Sequence, residues 1–160
     1  MKHLLLSLLF INLFTSTLSA VDASLQIEKD VEQRARIAVI DGSSNEDSRV
    51  FSIFLSDLKI SGHFLPDATH HVGDVKSNFI VPALKSQEYI IKYTMSQQGR
   101  TSLFVRLIKA SDGVELFKQS YAIPSSKKMP FLVHKAVSDI NKVLGYPDIS
   151  WINRYVVYEV

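Results

Sequence analysis

Residues 89–123 constrain the fold of this 160-residue chain more than any other segment, because they read as three strands in succession. The predicted strands, rich in β-branched and aromatic residues, are Tyr89 to Ser96, Ser102 to Ala110 and Val114 to Ile123. The middle strand alternates between Leu103, Val105 and Leu107 on one face and Phe104, Arg106 and Ile108 on the other. Short turns containing Gly99 and Gly113 separate the strands. The segment therefore predicts an antiparallel meander.

Two amphipathic helices are predicted, one before and one after the meander. The first runs from about Glu46 to Ile60, and Gly62 follows it where a left-handed C-cap favours glycine. The second runs from about Lys128 to Leu144 and is ended by Gly145 and then a proline. Both carry apolar residues at spacings of three and four, so each is expected to bury one face.

Shorter elements complete the predicted fold. The apolar run from Arg36 to Ile40 is typical of a buried strand, whereas residues 66–78 are polar and irregular. A short strand is predicted at Phe79 to Val81, followed by a helical turn from Pro82 to Ser86. The whole predicts an α/β (α+β) two-layer sandwich, in which two main helices pack on one face of a mixed, largely antiparallel sheet.

The first twenty residues are typical of a secretory signal peptide. Lys2 begins a short positive region, and Leu4 to Phe14 is a nearly unbroken apolar run. Cleavage is predicted between Ala20 and Val21, because a small residue ends the segment. A buried N-terminal helix or a retained anchor is the alternative, although the run is short for a membrane span, which needs about 20 apolar residues.

Composition limits the classes of function for the mature chain. It has no cysteine, which excludes disulfides, thiol redox chemistry and a lipid attached at the cleavage junction. The formal net charge of the whole chain is only +2, and removal of Lys2 with the signal peptide lowers it further, so neither nucleic acid nor an anionic membrane surface is an expected partner. We expect one domain, monomeric and at most peripheral to the membrane.

The histidine pair His70-His71 is the one candidate metal site, with Asp67 and Asp74 nearby in sequence. Adjacent side chains point apart in a strand, however, which makes these two residues poor joint ligands. A solvated polar loop is the preferred interpretation. No metal and no cofactor are predicted.

No catalytic motif is found either. His134 and Asp139 lie on the second helix, but a spacing of five residues places them on different faces. Ser138 lacks the surroundings of a nucleophile elbow, and no phosphate-binding glycine motif is present. The sequence therefore predicts a protein that is not an enzyme and has no catalytic residues.

Several segments, taken in order, resemble the N-terminal domain of the TolB family. They are Arg36 to Ile40, Ser56 to Phe64, Val133 to Ile140 with Leu144-Gly145, and Asn153 to Tyr158. The resemblance implies an anticodon-binding-domain-like α/β fold. Two positions depart from the family pattern, since Asp41-Gly42 stands where Pro-Phe is usual and a threonine is missing between Leu144 and Gly145.

The resemblance also implies a binding partner, because the first mature residues of the family bind the C-terminal domain of TolA. The matching residues are Val21, Asp22, Ala23, Ser24, Leu25, Gln26, Ile27, Glu28, Lys29, Asp30, Val31 and Glu32. Their alternating Leu25, Ile27 and Val31 suit addition of a strand to the edge of a partner's sheet. The same stretch is equally read as an edge strand of its own domain, and the two states are compatible.

The predicted organisation is a signal peptide at 1–20, a partner-binding arm at 21–34, an α/β domain at 35–147, and a linker with the first strand of a missing propeller at 148–160. The family meets the peptidoglycan-associated lipoprotein through that propeller, so this contact is not assigned to these residues. The resemblance implies a periplasmic adaptor of the Tol-Pal system that supports outer-membrane integrity and cell division. The alternatives are an unrelated periplasmic α/β module that binds a small ligand or glycan near His70-His71, and a hydrolase, which lacks a visible nucleophile–base pair.

Overall fold

The structure, a computed structural model, describes residues 34–43, 48–97 and 99–154, and its α/β domain begins at Ala35. The strands of this domain are β1 (Ala35–Asp41), β2 (Phe64–Pro66), β3 (His71–Val72), β4 (Tyr89–Ser96), β5 (Thr101–Lys109) and β6 (Glu115–Ile123). Its helices are α1 (Ser48–Ser61) and α2 (Met129–Val143), with 3-10 turns at Pro82–Leu84, Ser126–Lys128 and Ser150–Asn153. Within the described ranges no helix is both long enough and apolar enough to cross a membrane.

The six strands form one mixed sheet in the order β2-β1-β4-β5-β6, and β3 also pairs with β1. Strand β1 runs parallel to β2, β3 and β4, whereas β4, β5 and β6 form the predicted antiparallel meander. The parallel pairings arise because the chain leaves the sheet three times, through α1, residues 67–70 and residues 73–88, and each time returns in the same direction. The predicted fold class is therefore confirmed.

Both helices pack on one face of the sheet, as predicted. The core on this face joins Ile37 and Val39 of β1 to Phe54 of α1 and Val137 of α2, all completely buried. The ring of Phe54 lies 5.1 Å from that of Tyr93, a distance at which aromatic pairs add to the stability gained by burial. Leu103, Val105 and Leu107 belong to the same core, which confirms the predicted faces of the middle strand.

The opposite face of the sheet is covered in part by residues 73–87. Ile80 and Leu84 from this segment are buried there against Ala38, Ile40, Ile90, Ile108 and Ala110. The predicted strand at Phe79 to Val81 is wrong, because this stretch has no ladder partner and its Phe79 and Val81 side chains are exposed. The carbonyl of Phe79 instead accepts a hydrogen bond from the ammonium of Lys92.

Both helices end where glycine was predicted to end them. Gly62 and Gly145 follow α1 and α2 with φ angles of +78° and +75°, a conformation that costs glycine little. Residues 44–47, which include the predicted start of the first helix, lie outside the described residues. Beyond α2 the ring of Tyr146 stacks on that of His63, and Ile149 is buried in the helix-face core.

Candidate functional site

The predicted partner-binding residues 21–32 and the cleavage junction Ala20-Val21 lie outside the described residues, so these assignments stay predictions. What the structure does describe is the point from which such an arm would extend. Strand β1 begins at Ala35, whose amide donates to the carbonyl of His63 at 3.0 Å. The amide of Arg36 donates to the side chain of Glu88 at 3.2 Å, so the start of the domain is held from both sides.

Asp41, read from the sequence only as part of a turn, is the centre of a hydrogen-bonded group at the end of β1. Its buried carboxylate accepts from the hydroxyl of Tyr93 at 2.6 Å and from the amide of Ser43 at 2.7 Å. The ring of His70 lies 3.2 Å from the same carboxylate and 4.5 Å, centre to centre, from that of Phe51. Burying a carboxylate is costly unless it is hydrogen-bonded, so these contacts explain how Asp41 is accommodated.

His71 points to a different carboxylate from its neighbour. Its Nε2 lies 2.9 Å from Oδ2 of Asp67, and this hydrogen bond lowers the pKa of Asp67 below its ordinary value. The two histidines are thus divided between two acidic partners. In residues 34–43, 48–97 and 99–154, no group of three or more potential ligands is placed to hold a metal ion.

His134 joins the two helices through a partner that sequence reasoning missed. Its Nδ1 lies 2.6 Å from Oδ2 of Asp57, a buried residue of α1. Asp139 pairs instead with Lys135 at 2.6 Å and with the hydroxyl of Tyr121 at 2.9 Å, so His134 and Asp139 do not form a dyad. The sequence did contain a signal for this pairing. Asp57 falls three residues after Phe54 on the apolar stripe of the helix, a position that indicates burial and therefore a polar partner.

Two buried cations fix residues 74–79 to the sheet. The ammonium of Lys92 donates to the carbonyls of Asp74, Ser77 and Phe79 at 3.1, 2.7 and 3.1 Å. The guanidinium of Arg106 donates to the carbonyls of residues 75 and 76 at 2.6 and 2.8 Å, and to the side chains of residues 78 and 115. Burial lowers the pKa of Lys92, and the nearby charge of Arg106 lowers it further.

A cleft of about 260 Å³ lies beside this segment, where the alternative of a ligand-binding module predicted a pocket. Its rim carries the exposed side chains of Val72, Phe79 and Val81, and Lys92 contributes to its lining. The ammonium of Lys92 has three donors and uses all three on carbonyls. Lys92 therefore serves the fold and leaves no hydrogen to donate to a ligand in the cleft.

The sequence relatives share one name. No protein-family model matches the chain. The Tol-Pal system protein TolB of Wolinella succinogenes is 31% identical over 157 residues, which cover 94% of this chain and 37% of the relative. TolB of Helicobacter hepaticus is 29% identical over 167 residues, covering 96% and 36%, and TolB of Campylobacter jejuni is 26% identical over 148 residues, covering 90% and 33%.

A solved structure carries the same name. The crystal structure of TolB from Acinetobacter baumannii superposes with a TM-score of 0.58 at 18% identity, covering 74% of this chain and 30% of that one, and it shows the fold. The chain spans between 33 and 37% of the length of these three curated relatives. It therefore belongs to the TolB family, of whose proteins it represents the N-terminal part.

Proposed function

We propose that this chain is a non-enzymatic adaptor of the Tol-Pal system that acts in the periplasm and binds the C-terminal domain of TolA. The observation that carries the proposal is the match to Tol-Pal system protein TolB over 94% of the chain. The described part of the chain adds indirect support. Its histidines 70, 71 and 134 pair with carboxylates, and Lys92 and Arg106 bond to the backbone of one loop, as expected of a rigid scaffold.

The proposed contact uses residues 21–32 as an extended strand. Leu25 and Ile27 would face one side of that strand, and Gln26 and Glu28 the other. Backbone hydrogen bonds to a sheet edge of the partner supply affinity, and the alternate apolar side chains supply specificity. The domain from Ala35 onwards contributes a fixed point of attachment, because the first residues of β1 are hydrogen-bonded to His63 and Glu88.

The remaining parts of the proposal concern export and biological role. Residues 1–20 act as a cleaved signal peptide, and mass spectrometry of the exported protein is expected to show Val21 as its first residue. Residues 148–160 act as a linker, in which Ile149 packs against the domain core, and as the start of a propeller. Through TolA the adaptor supports outer-membrane integrity and cell division, whereas contact with the peptidoglycan-associated lipoprotein is not assigned to these residues.

The proposal is tested by calorimetric titration of residues 21–160 against the C-terminal domain of TolA. A twin lacking residues 21–30 is titrated in parallel, and circular dichroism verifies that both are folded. Saturable binding by the first protein and none by the twin is the expected result. Equal binding by both would show that the arm is not the site, and binding by neither would remove TolA as the partner.

Matched substitutions separate the apolar side of the arm from its polar side. Replacing Leu25 and Ile27 together with serine is expected to abolish binding, because these side chains enter the partner's surface. Replacing Gln26 and Glu28 together with serine keeps the backbone and the apolar side, so binding is expected to change by less than about threefold, the size of a surface effect. The opposite ranking would contradict the proposed geometry.

A further inference from the structure

Strand β6 offers a long strand edge for pairing with another chain. It ends the sheet, and in the described part of the chain no strand pairs with its outer side. The opposite edge is divided between β2 and β3, which have three and two residues, and Pro66 lacks an amide hydrogen. By contrast, β6 is nine residues long. Unpaired edges of this length are templates for strand addition.

The sheet register shows which backbone groups of β6 face outwards. The carbonyl of Tyr93 accepts from the amide of Gly42, so the backbone groups of Tyr93 face β1 and those of Thr94 face β5. Thr94 pairs with Phe104, and the next residue of β5 pairs with Gln119. The backbone groups of Gln119 therefore face β5. Because successive residues of a strand turn their backbone groups to opposite sides, those of residues 118, 120 and 122 face outwards. The side-chain amide of Gln119 donates to the outward carbonyl of Ser120 at 3.4 Å, in agreement with this assignment.

The side chains along this edge define the partner that fits it. Lys118, Ser120 and Ala122 are exposed on the sheet face opposite the helices. The ammonium of Lys118 lies 5.9 Å from the ring centre of Phe104, and in the described residues no carboxylate lies within salt-bridge distance of it. On the helix face, apolar side chains of β6 at positions 117, 121 and 123 are only partly buried against the core.

We propose that the outer edge of β6 binds an extended, acidic segment of a partner protein by strand addition. The segment carries apolar side chains at alternate positions, which extend the core beside Phe117 and Tyr121, and an acidic side chain that faces Lys118. Its backbone pairs with Lys118, Ser120 and Ala122. This site uses none of residues 21–32 and adds a second protein contact to the proposed adaptor.

The test uses NMR of isotope-labelled residues 21–160 titrated with synthetic peptides of the same length as β6. The first peptide alternates valine with threonine and has glutamate in place of its central threonine, and its twin has lysine there. Saturable shifts at the amides of Lys118, Ser120 and Ala122, stronger for the glutamate peptide, are expected. No saturable shift, or shifts confined to other parts of the sheet, would overturn the proposal and identify Lys118 as a guard against strand pairing.

Variants of both partners test the backbone contact. Ser120→Pro removes an outward amide and is expected to abolish binding, whereas Ser120→Ala retains the amide and the binding. A glutamate peptide with N-methylated amides tests the same bond against the unaltered protein, and equal binding of that peptide would refute strand addition. Lys118→Glu is expected to weaken the glutamate peptide about two- to fivefold, as exposed charge pairs do. Deleting residues 21–30 leaves these results unchanged, so the two proposals fail separately.

Discussion

Gly42 provides the sharpest test of how the loop after β3 packs on the end of β1. A Cβ atom built on Gly42 would lie 2.1 Å from Cγ2 of Val75 and 3.2 Å from the carbonyl oxygen of Gly73. Carbon atoms in contact are normally about 3.5–4.0 Å apart, so Gly42→Ala forces the loop or the Val75 side chain to move. The loop resists, because the amide of Gly73 donates to the carbonyl of Asp41 at 2.9 Å and Arg106 holds the carbonyl of Val75.

The expected cost of Gly42→Ala follows from two opposing terms. Overpacking a tight site costs about 1–3 kcal/mol. Alanine in place of glycine lowers the conformational entropy of the unfolded chain, which stabilises the fold by about 0.4–1 kcal/mol. This gain applies here because the φ of Gly42 is not positive and alanine can adopt it. We therefore expect the free energy of unfolding to fall by about 1–2 kcal/mol. Urea unfolding followed by circular dichroism measures it.

Val75→Ala supplies the second arm of a double-mutant cycle. Alone it is expected to cost about 1–2 kcal/mol, because it removes two buried methyl groups. Combined with Gly42→Ala it also removes the atom that the new methyl group strikes, so the double variant is expected to be about 1–2 kcal/mol more stable than the sum of the single changes predicts. Additivity within about 0.5 kcal/mol would refute the close approach of Val75 to Gly42.

Two further predictions concern the histidine–carboxylate pairs. His134→Ala removes the ring that is hydrogen-bonded to the buried carboxylate of Asp57, so urea unfolding is expected to show a free energy of unfolding lower by about 1–3 kcal/mol. The exposed control Lys127→Ala is expected to lower it by less than about 0.5 kcal/mol. Equal effects of the two changes would contradict the pairing. The pKa of Asp67 is lowered mainly by its hydrogen bond to His71, so the stabilisation is present above the ordinary value of 3.8 and is lost as the pH falls through the lower folded-state value. In an NMR titration His71→Ala is expected to raise the pKa of Asp67, and an unchanged pKa would show that the hydrogen bond to His71 does not lower it. The pair is partly exposed, so its loss is expected to lower the free energy of unfolding by less than about 1 kcal/mol.

The sequence predicted those elements whose pattern repeats over many residues. Both helices and the three strands of the meander were found, and β4 has the predicted bounds from Tyr89 to Ser96. These elements could be predicted because the period of the apolar residues indicates both the type of element and its buried face, whichever element packs against it. The helix ends at Gly62 and Gly145 were also predictable, because a left-handed C-cap is a local requirement.

Elements that depend on distant partners were not predictable. Strands β2 and β3 are too short to show alternation, and they exist because β1 offers them hydrogen bonds. Phe79 to Val81 has the composition of a strand, yet Lys92 takes the carbonyl of Phe79. The pairing of Asp57 with His134 spans 77 positions in sequence, so one sequence could show only that a polar residue interrupts an apolar stripe.

Gly42 links the sequence departure from the family to this packing. Where the family usually has Pro-Phe, this chain has Asp41-Gly42, and both residues make contacts in the structure that depend on their identity. The carboxylate of Asp41 binds the hydroxyl of Tyr93, and the missing side chain of Gly42 leaves room for Val75. Both residues are thus accommodated by contacts within this domain.

The cleft beside Lys92 and the outer edge of β6 differ in what they leave available for a partner. A ligand pocket needs polar groups that are free to form hydrogen bonds with the ligand. The ammonium of Lys92 instead donates all three of its hydrogens to carbonyls of the loop. The backbone of Ser120, by contrast, faces away from the sheet, where among the described residues its carbonyl meets only a weak contact from Gln119. Directional bonds to a new partner are therefore expected at the sheet edge, as strand addition requires, which favours a protein-binding module over one built to hold a small ligand.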